Sequence, residues 1–436
     1  EVIPSITDEE ASKIRIEPYT SSKYYSDLMK ATENKSDKEL ATHLVYSSYE
    51  TIKWMHKNKV QFDLIYDNQS FLKDGVYHFW GGLPVKTTGR GVGLIQSLNE
   101  RCLELGIDVW YQSPAVKINS EHNRVQSIVV NKEGKEVTVE TKSVILACGS
   151  FEANKKLRGE NLGEVWSNAL VRGTEYNTGD GIQMALEVGA VPYGDYSMGH
   201  SIGTDANAPK VGDFTKPGDI FKKHSYPLGI MINKEGYRFV DEGADFRNYT
   251  YAKYGREIIK QPGQIAYQIY DAQVRPMLRD EYDREEATFY KADTLEELVA
   301  QLDVNKEQFL QTIKEYNEAV LDKEYDPTAK DGKGTVGITP PKTNWALKIE
   351  EGPFYAYPVT TGMTFCFGAI KTNNKCEVLN KDDQPIEGLF ASGEMIGGIF
   401  YHNYPGGSGL MSGAVFGKTA GESAGEYVNN KLKAYS

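Results

Sequence analysis

A glycine-rich stretch near the C-terminus has the composition of a loop that binds an anionic ligand. It reads HNYPGGSGLMSGAVFG over residues 402–417, and Gly406, Gly407 and Gly409 stand before a run that favours a helix. Free N–H groups and the dipole at a helix N-terminus stabilise negative charge, and glycines let a flat ring approach the backbone. The alternative is a glycine-rich helix that packs closely against its neighbours, and this stretch alone does not decide between the two.

A carboxylate and two glycine turns could hold the remainder of a dinucleotide. The run at 388–392, GLFAS, favours a strand, and Gly393 and Glu394 follow it. A glutamate at that point can accept hydrogen bonds from two ribose hydroxyls. The apolar strand SVILACG (143–149) and the turn NTGDG (177–181) suit the sugar and diphosphate end. Taken alone, NTGDG is equally typical of an ordinary turn with an N-capping aspartate.

The middle of the chain contains an arginine, Arg247, that could bind an anionic ligand. The stretch GADFRNYTY is poor in charge and aromatic around Arg247, as expected for a cation buried in a binding cleft. An ion-paired arginine on the surface is the ordinary alternative. His200, His224 and His402 lie in loops rich in glycine and tyrosine. A single histidine is more often structural than functional. These three histidines are candidates for the site only because they cluster with Arg247 and Tyr404.

Composition limits the classes of partner. The 436 residues carry a net charge of −12, which argues against nucleic acid or an anionic membrane as the main partner. The length suffices for two domains. No run reaches the roughly 18 apolar residues of a membrane-spanning helix. The cysteines lack metal-ligand spacing and the N-terminus lacks the pattern of a signal peptide. We therefore expect a cytoplasmic protein without a metal ion.

The elements alternate as in a nucleotide-binding domain. Apolar spacing predicts helices at 37–59 and 91–105. A β-rich block follows, with DVWYQ (108–112) as its first strand and SVILACG as a short buried strand at its end. Strand signals return before a closing helix that begins after Pro405. The sequence therefore predicts an α/β domain made of both ends of the chain, with an insertion in the middle.

Together these motifs resemble the flavoprotein family of fumarate reductase and succinate dehydrogenase, and within it most closely the tricarballylate dehydrogenase branch. The matching stretches, in chain order, are NTGDGIQMALEVGA, GYRFVDEGADFRNYTYAKYG, TLEELVAQL, ASGE and FYHNYPGGSGLMSGAVFG. The resemblance implies a Rossmann-like FAD-binding domain with an inserted α+β capping domain. It also implies FAD as the cofactor and hydride transfer between flavin N5 and a carbon next to a carboxylate or carbonyl.

The resemblance also implies domain boundaries. An FAD-binding domain is expected over 1–190 and 350–436, and a capping domain for the substrate over 191–349. Members of the family open with a strand and a GxGxxG loop whose helix holds the FAD pyrophosphate. This sequence has no GxGxxG near its start. We therefore expect a chain truncated before that β-α-β unit, with FAD weakly bound or absent.

Individual roles follow by position from the same resemblance. Arg247 matches a proton-transferring arginine, which can act only transiently because a free guanidinium has a pKa above about 12. His200 matches a substrate-contacting histidine, and Tyr249 or Tyr404 would assist the proton transfer. The expected cofactor-binding residues are Val116, Ala147, Gly149, Asp180, Cys366, Gly393, Glu394, Ser408, Gly409 and Leu410.

The chain departs from fumarate reductases in the residues expected to hold the substrate. Phe365 stands where those enzymes carry a histidine, and Tyr404 stands where they carry an arginine. Their dicarboxylate clamp is therefore not reproduced. The expected substrate-binding residues are instead Arg172, Lys222, Lys223, His224, Tyr249 and Gly407.

The predicted function is FAD-dependent oxidation or reduction of a C–C bond next to a carboxylate. Conversion of tricarballylate to cis-aconitate is the nearest analogue. A fumarate reductase-like or 3-ketosteroid dehydrogenase-like flavoenzyme is one alternative, and a truncated chain without cofactor or catalysis is another. The expected partners are a small carboxylate substrate and a membrane-bound or soluble electron acceptor.

Overall fold

The chain forms two compact units in a computed structural model that describes residues 2–3, 6–79 and 82–434. The first unit comprises Glu1–Leu162, Tyr176–Gly199 and Phe365–Ser436, and the second comprises Gly163–Glu175 and His200–Thr364. The predicted boundaries at 190 and 349 thus lie before the observed ones. The short segment Gly163–Glu175 joins the second unit because its strand pairs with the longest strand there.

Helices occur in both units. In chain order they are α1 (Asp8–Ser12), α2 (Ser21–Ala31), α3 (Lys38–Lys57), α4 (Tyr66–Gln69), α5 (Arg90–Glu104), α6 (Lys155–Leu162), α7 (Asp180–Glu187), α8 (Arg247–Thr250), α9 (Tyr254–Ile258), α10 (Leu295–Val299), α11 (Lys306–Ala319) and α12 (Ser408–Ala434). Among the described residues, none of these helices is both long enough and apolar enough to cross a membrane.

The strands, most of them short, also occur in both units. They are β1 (Ile14–Arg15), β2 (Phe62–Leu64), β3 (Ser70–Lys73), β4 (Val76–Phe79), β5 (Val85–Thr87), β6 (Ala115–Glu121), β7 (Arg124–Lys132), β8 (Lys135–Glu140), β9 (Val144–Leu146), β10 (Leu170–Val171), β11 (Pro192–Tyr193), β12 (Gly199–Asp205), β13 (Ile230–Asn233), β14 (Ala266–Tyr270), β15 (Tyr290–Ala292), β16 (Phe354–Cys366), β17 (Ala369–Ile370), β18 (Glu377–Leu379) and β19 (Pro385–Ala391). The second unit has β16 at its centre, in the order β10-β16-β14-β13, and β12 and β15 also pair with β16.

The main sheet of the first unit has the order β18-β19-β7-β6, with β8 on β7 and β9 on β19. Strand β19 runs parallel to β7 and β9 and antiparallel to β18. Helix α12 packs on β19 and on α3. Asp37 caps α3 by accepting hydrogen bonds from the N–H groups of Glu39 and Leu40. The predicted helix at 37–59 is confirmed over Lys38–Lys57.

Two sequence predictions about strands of the first unit are wrong, one wholly and one in part. The segment 108–112 forms no strand, and the side chains of Trp110 and Tyr111 are exposed. A strand needs a hydrogen-bonded neighbour, and this segment has none among the described residues. The strand β9 is not fully buried, because Ile145 is 41% exposed between buried Val144 and Leu146. The prediction of a buried strand is therefore confirmed at Val144 and Leu146 and wrong at Ile145.

Helix α5 confirms the prediction at 91–105 but does not sit in a core. None of its residues is fully buried. Leu94 and Leu98 are partly buried and pack against the hydrophobic cluster of Met55, Val60 and Phe62. Leu103, in contrast, is 72% exposed. The amphipathic pattern therefore predicted the helix correctly without deciding how deeply it is buried.

Candidate active site

Two neighbouring parallel strands of the first unit end at predicted cofactor residues. Leu146 of β9 pairs with Ala391 of β19. Beyond them, Gly149 and Gly393 have φ values of +73° and +63°. The carboxyl ends of adjacent parallel strands are where α/β sheets bind ligands. Ala147 is exposed at this edge, so backbone there is open to a ligand.

The glycine turn before α7 is closely packed. A Cβ on Gly181 would lie 2.1 Å from the Sγ of Cys148, and one on Gly149 would lie 2.6 Å from the side chain of Asn177. Gly179, with φ of +87°, occupies the cap position of α7, and no side chain caps the helix. Asp180 is exposed in the first turn. The alternative of an N-capping aspartate therefore does not apply here.

The glycine-rich loop opens helix α12, as the sequence predicted. Gly407 has φ of +83°, and a Cβ there would lie 2.6 Å from Leu83 Cδ1. The hydroxyl of Tyr24 donates to the Oγ of buried Ser408 at 2.9 Å. Gly409 is half-buried and Leu410 is 75% exposed. Because the Ser408 hydroxyl is already bonded inside the unit, the helix offers a ligand mainly its backbone N–H groups.

Glu394 lies in a short 3-10 turn, Gly393–Met395, that follows β19. The backbone N–H of Cys366 donates to Glu394 Oε1 at 2.9 Å, so Cys366 contributes through its backbone while its thiol is buried. The side chain of Glu394 also shares a hydrogen bond with that of Glu152. Burial raises the pKa of both carboxyls, and the second acid raises that of Glu394 further.

The remaining candidates of the first unit differ in burial. Tyr404 is 4% exposed and its ring packs against Phe400 and Phe365, with centroids 4.6 and 5.8 Å away. Val116 on β6 is 43% exposed. Phe365, which stands where the resemblance predicts a histidine in fumarate reductases, thus belongs to an aromatic cluster around Tyr404.

In the second unit, the ring of Tyr251 contacts three of the predicted site residues, the catalytic candidates His200 and Arg247 and the substrate-binding candidate His224. His200 and His224 meet the ring of Tyr251 edge-on, with centroids 5.0 and 5.9 Å away. The guanidinium carbon of Arg247 lies 5.3 Å from the same centroid. His200 lies on the wholly buried strand β12, and the backbone N–H of Lys223 donates to Gly203 on that strand. The structure therefore brings His200, His224 and Arg247 together.

Both histidines are kept neutral by their surroundings. Burial lowers the pKa of each well below its usual value, and the charge of nearby Arg247 and Arg172 lowers it further. The Nδ1 atom of His224 is buried and has no hydrogen-bond partner among the described residues. A buried polar atom without a partner is costly, so this atom is available to a ligand.

The guanidinium of Arg247 has a lowered pKa. Burial lowers its pKa to about 10, and the positive charge of Arg279 acts in the same direction. Arg279 donates from Nε to Glu281 Oε1 at 3.1 Å, and Glu281 is 5% exposed. A guanidinium with a lowered pKa gives up a proton more readily than a solvated one.

Lys222 and Arg172 add two more cations, with different surroundings. Burial lowers the pKa of Lys222 to about 8, and its ammonium has no hydrogen-bond partner within the described part of the chain. Arg172 binds the carboxylate of Asp219 at 2.6 Å and the hydroxyl of Thr364 at 2.8 Å. Its charge is therefore partly neutralised, whereas that of Lys222 is free to bind an anion.

Two other predicted residues have less direct roles. Lys223 is 1% exposed, and its ammonium donates to the carbonyl of Glu281 at 3.3 Å and lies 5.2 Å from the ring centroid of Tyr282. Tyr249 is half-buried on α8. The ammonium of Lys223 is thus already bound within the unit.

Sequence reasoning missed four residues of these two sites. Tyr251 lies in the motif around Arg247 and could have been found from it. Arg279 and Glu281 lie in LRDEYDRE, a charged stretch typical of any surface. Glu152 follows the strand β9 in SFEAN, where nothing marks it as buried.

Comparison with known proteins decides the family. A family model described as an FAD binding domain matches residues 21–410. This chain belongs to the FAD-binding flavoprotein family of fumarate reductase and succinate dehydrogenase. The predicted α/β fold and FAD as the cofactor are thereby confirmed.

This flavoprotein resembles reductases and dehydrogenases alike. It is 29% identical to the probable fumarate reductase Ifc3 of Shewanella frigidimarina, over 94% of this chain and 65% of the relative. It is 28% identical to the 3-oxosteroid 1-dehydrogenase of Mycolicibacterium smegmatis, over 79% of this chain and 64% of the relative. The chain thus spans slightly less than two thirds of each of these two curated relatives.

A solved structure supports the same assignment of fold. The open conformation of a flavocytochrome c3 fumarate reductase superposes with a TM-score of 0.70 at 25% identity. The superposition covers 94% of this chain and 68% of that one.

The residues of the first unit suit FAD. Glycine backbone is open at the ends of β9 and β19, and the side chains around Gly149 and Gly181 leave no room for a Cβ. Helix α12 offers N–H groups to an electron-rich ring. Glu394 offers an acceptor for hydroxyl groups. These residues therefore fit FAD.

Proposed function

We propose that this flavoprotein oxidises or reduces a C–C bond next to a carboxylate. The observation that carries the proposal is the excess of half-buried positive charge around His200 and His224 in the second unit. The cations there are Arg172, Lys222, Arg247 and Arg279, and the carboxylates whose charges act on them among the described residues are those of Asp219 and Glu281. Uncompensated buried cations are costly, and an anionic substrate removes that cost.

FAD would be held by the first unit. Glu394 would accept from its ribose hydroxyls, and Gly149 and Asp180 would lie beside its sugar and diphosphate. The backbone of Gly409 and Leu410 would face its ring. When bound, FAD supplies a two-electron acceptor or donor at N5, and the protein supplies orientation and exclusion of water.

The second unit would hold the carboxylates. Neutral His200 and His224 donate hydrogen bonds, and Lys222 supplies a point charge. The orphan Nδ1 of His224 supports this role, because a substrate oxygen would satisfy it. Since the cations outnumber those needed by one carboxylate, we propose a tricarboxylate such as tricarballylate as the first substrate to test.

Arg247 would transfer the proton that accompanies hydride transfer. Its guanidinium exchanges a proton with the substrate carbon next to the carbon that exchanges hydride, so that charge does not accumulate on either. The lowered pKa of Arg247 supports the role, and Tyr404 or Tyr249 would assist it. Arg279 and Glu281, which share a 3.1 Å hydrogen bond and whose charges act on Arg247, would help Arg247 regain its proton.

The test is a single-turnover experiment on the protein with bound FAD. We expect tricarballylate to bleach the oxidised flavin, and cis-aconitate or fumarate to reoxidise the reduced flavin anaerobically. 3-Oxosteroids are expected to leave the spectrum unchanged. Bleaching by a steroid and not by a carboxylate would overturn the proposal in favour of a ketosteroid dehydrogenase. Failure to bind FAD at saturation would favour the non-catalytic alternative.

A matched pair of arginine variants connects the experiment to the site. Arg247→Lys is expected to slow bleaching strongly, whereas exposed Arg284→Lys is expected to leave it unchanged. Equal rates in the two variants would remove the support that the cation cluster gives.

A further inference from the structure

Two carboxyl groups meet in the interior of the first unit. Glu152 is 2% exposed and follows β9, whereas half-buried Glu394 follows β19. Because the two strands are parallel neighbours, the residues that follow them approach each other. Two ionised carboxylates offer only acceptors, so their hydrogen bond requires one shared proton.

The carboxylate of Glu152 has few hydrogen-bond partners in the protein. Its Oε1 accepts from the Nδ2 of Asn177 at 2.5 Å, and Arg158 donates to its backbone carbonyl at 2.5 Å rather than to its carboxylate. Its Oε2 is buried and receives no hydrogen bond from an N–H or alcohol O–H group among the described residues, which leaves it to the carboxyl group of Glu394. The acid is thus buried without a salt bridge to its carboxylate, which is costly unless it serves a purpose.

We propose that Glu152 is a positioning residue that holds the shared proton when Glu394 binds the hydroxyl groups of FAD. Without FAD the proton lies on Glu394 and Glu152 accepts it as a hydrogen bond. When hydroxyl groups donate to Glu394, the proton passes to the Glu152 carboxylate. The pair keeps one proton and one negative charge throughout, so no proton is released to solvent.

This transfer lets Glu394 become an acceptor without burying a second negative charge. The groups that face the pair are Arg158 on α6, the thiol and backbone N–H of Cys366, and Asn177. Burial raises the pKa of the Cys366 thiol well above its usual value, so the thiol stays neutral. Arg158 lowers the pKa of Glu152 only in part, because burial outweighs its charge.

Infrared difference spectroscopy tests the shared proton directly. At neutral pH we expect a C=O stretch of one protonated carboxyl in the wild type, shifted when FAD is added. Both Glu152→Gln and Glu394→Gln are expected to lose it, although each retains one of the two acids. Glu160→Gln, which removes an exposed acid on α6, should change nothing. A wild type without the band overturns the proposal whether or not the variants fold.

The pH dependence of FAD binding gives a second readout. Affinity should fall towards acid pH, where Glu394 takes up a proton of its own and can no longer act as a carboxylate. Glu152→Gln removes the acid that takes over the proton, so Glu394 must release its proton to solvent when FAD binds, and the fall should move by at least about one pH unit to higher pH. That shift corresponds to about tenfold weaker binding at mildly acidic pH. A variant profile equal to that of the wild type would overturn the proposal.

The shared proton affects the binding of FAD and not the binding of the substrate. Both measurements use FAD alone, so failure of the carboxylate proposal would leave them unaffected. Conversely, an unshared proton in this pair would leave the cation cluster of the second unit as it stands.

Discussion

The candidate cofactor site of the first unit pairs two acids, Glu152 and Glu394, whereas the candidate substrate site of the second unit gathers arginines, lysines and histidines. Burial acts on both in the direction of neutrality: it raises the pKa of Glu152 and Glu394 and lowers those of Arg247, Lys222 and His224. Each unit is therefore suited to a ligand of complementary character. Hydroxyl donors suit the acids, and carboxylates suit the cations.

The difference between the units lies in how the cost of burial is met. In the first unit, a proton shared by two acids leaves a single negative charge. In the second, the ion pairs Arg172–Asp219 and Arg279–Glu281 leave Lys222 and Arg247 in excess. The charges of the first site are compensated without a substrate. Those of the second site are compensated only when an anion binds. Variants in one unit should therefore affect FAD binding and variants in the other should affect turnover.

The largest effect is expected from Arg247→Met. Loss of the proton-transferring group should lower the rate of flavin reduction by about 100- to 10,000-fold. FAD content should stay at the wild-type level, because the proposed FAD residues belong to the first unit. Rapid-mixing absorbance and the flavin-to-protein ratio measure both. A variant that loses FAD along with activity would break the division between the units.

Lys222→Met should weaken substrate binding rather than chemistry. A lost hydrogen bond to a charged group costs about 1.5–3 kcal/mol, which raises KM by about 10- to 150-fold. The kcat should change much less. Lys216→Met, which removes an exposed lysine paired with Glu286, serves as the control. Equal KM values in the two variants would show that Lys222 does not hold a carboxylate.

The pH dependence of KM should report the same lysine. A lysine with a pKa of about 8 is cationic below that pH and neutral above it. The KM for a carboxylate should therefore rise about five- to sixfold from pH 8 to pH 9, and approach a tenfold rise per pH unit above that. Lys222→Arg should remove this rise, because arginine keeps its charge. A wild-type KM that is flat across this range would contradict the prediction.

The smallest effect is expected from Tyr404→Phe. The aromatic ring, and with it the packing on Phe365 and Phe400, is preserved. Only one hydroxyl is lost, at a cost of about 0.5–1.5 kcal/mol, so kcat should fall no more than about tenfold. Steady-state kinetics of Tyr404→Phe and Arg247→Met, measured in parallel, give the fall in kcat for each variant. A fall as large as that of Arg247→Met would assign the proton transfer to the tyrosine.

Local patterns explain what could be predicted. The helix Lys38–Lys57 follows from its capping aspartate and apolar spacing, and α12 follows from the glycines before Ser408. The strand expected at 108–112 was wrong because apolar and aromatic residues favour a strand only beside a neighbour that pairs with it. The residues 163–175 were assigned to the wrong unit because a two-residue strand, β10, carries too little signal to reveal its partner.

The sequence by itself determined the family, its cofactor and the stretches that contribute to each half of the site. These depend on glycines, caps and a motif around Arg247, all of which act within a few residues. Only the tertiary structure brought Glu152 to Glu394, and Arg279 with Glu281 to Arg247. Such pairs lie far apart in the chain or in stretches with no distinctive pattern. Their meaning comes from burial and charge, and both are set by what the fold places around them.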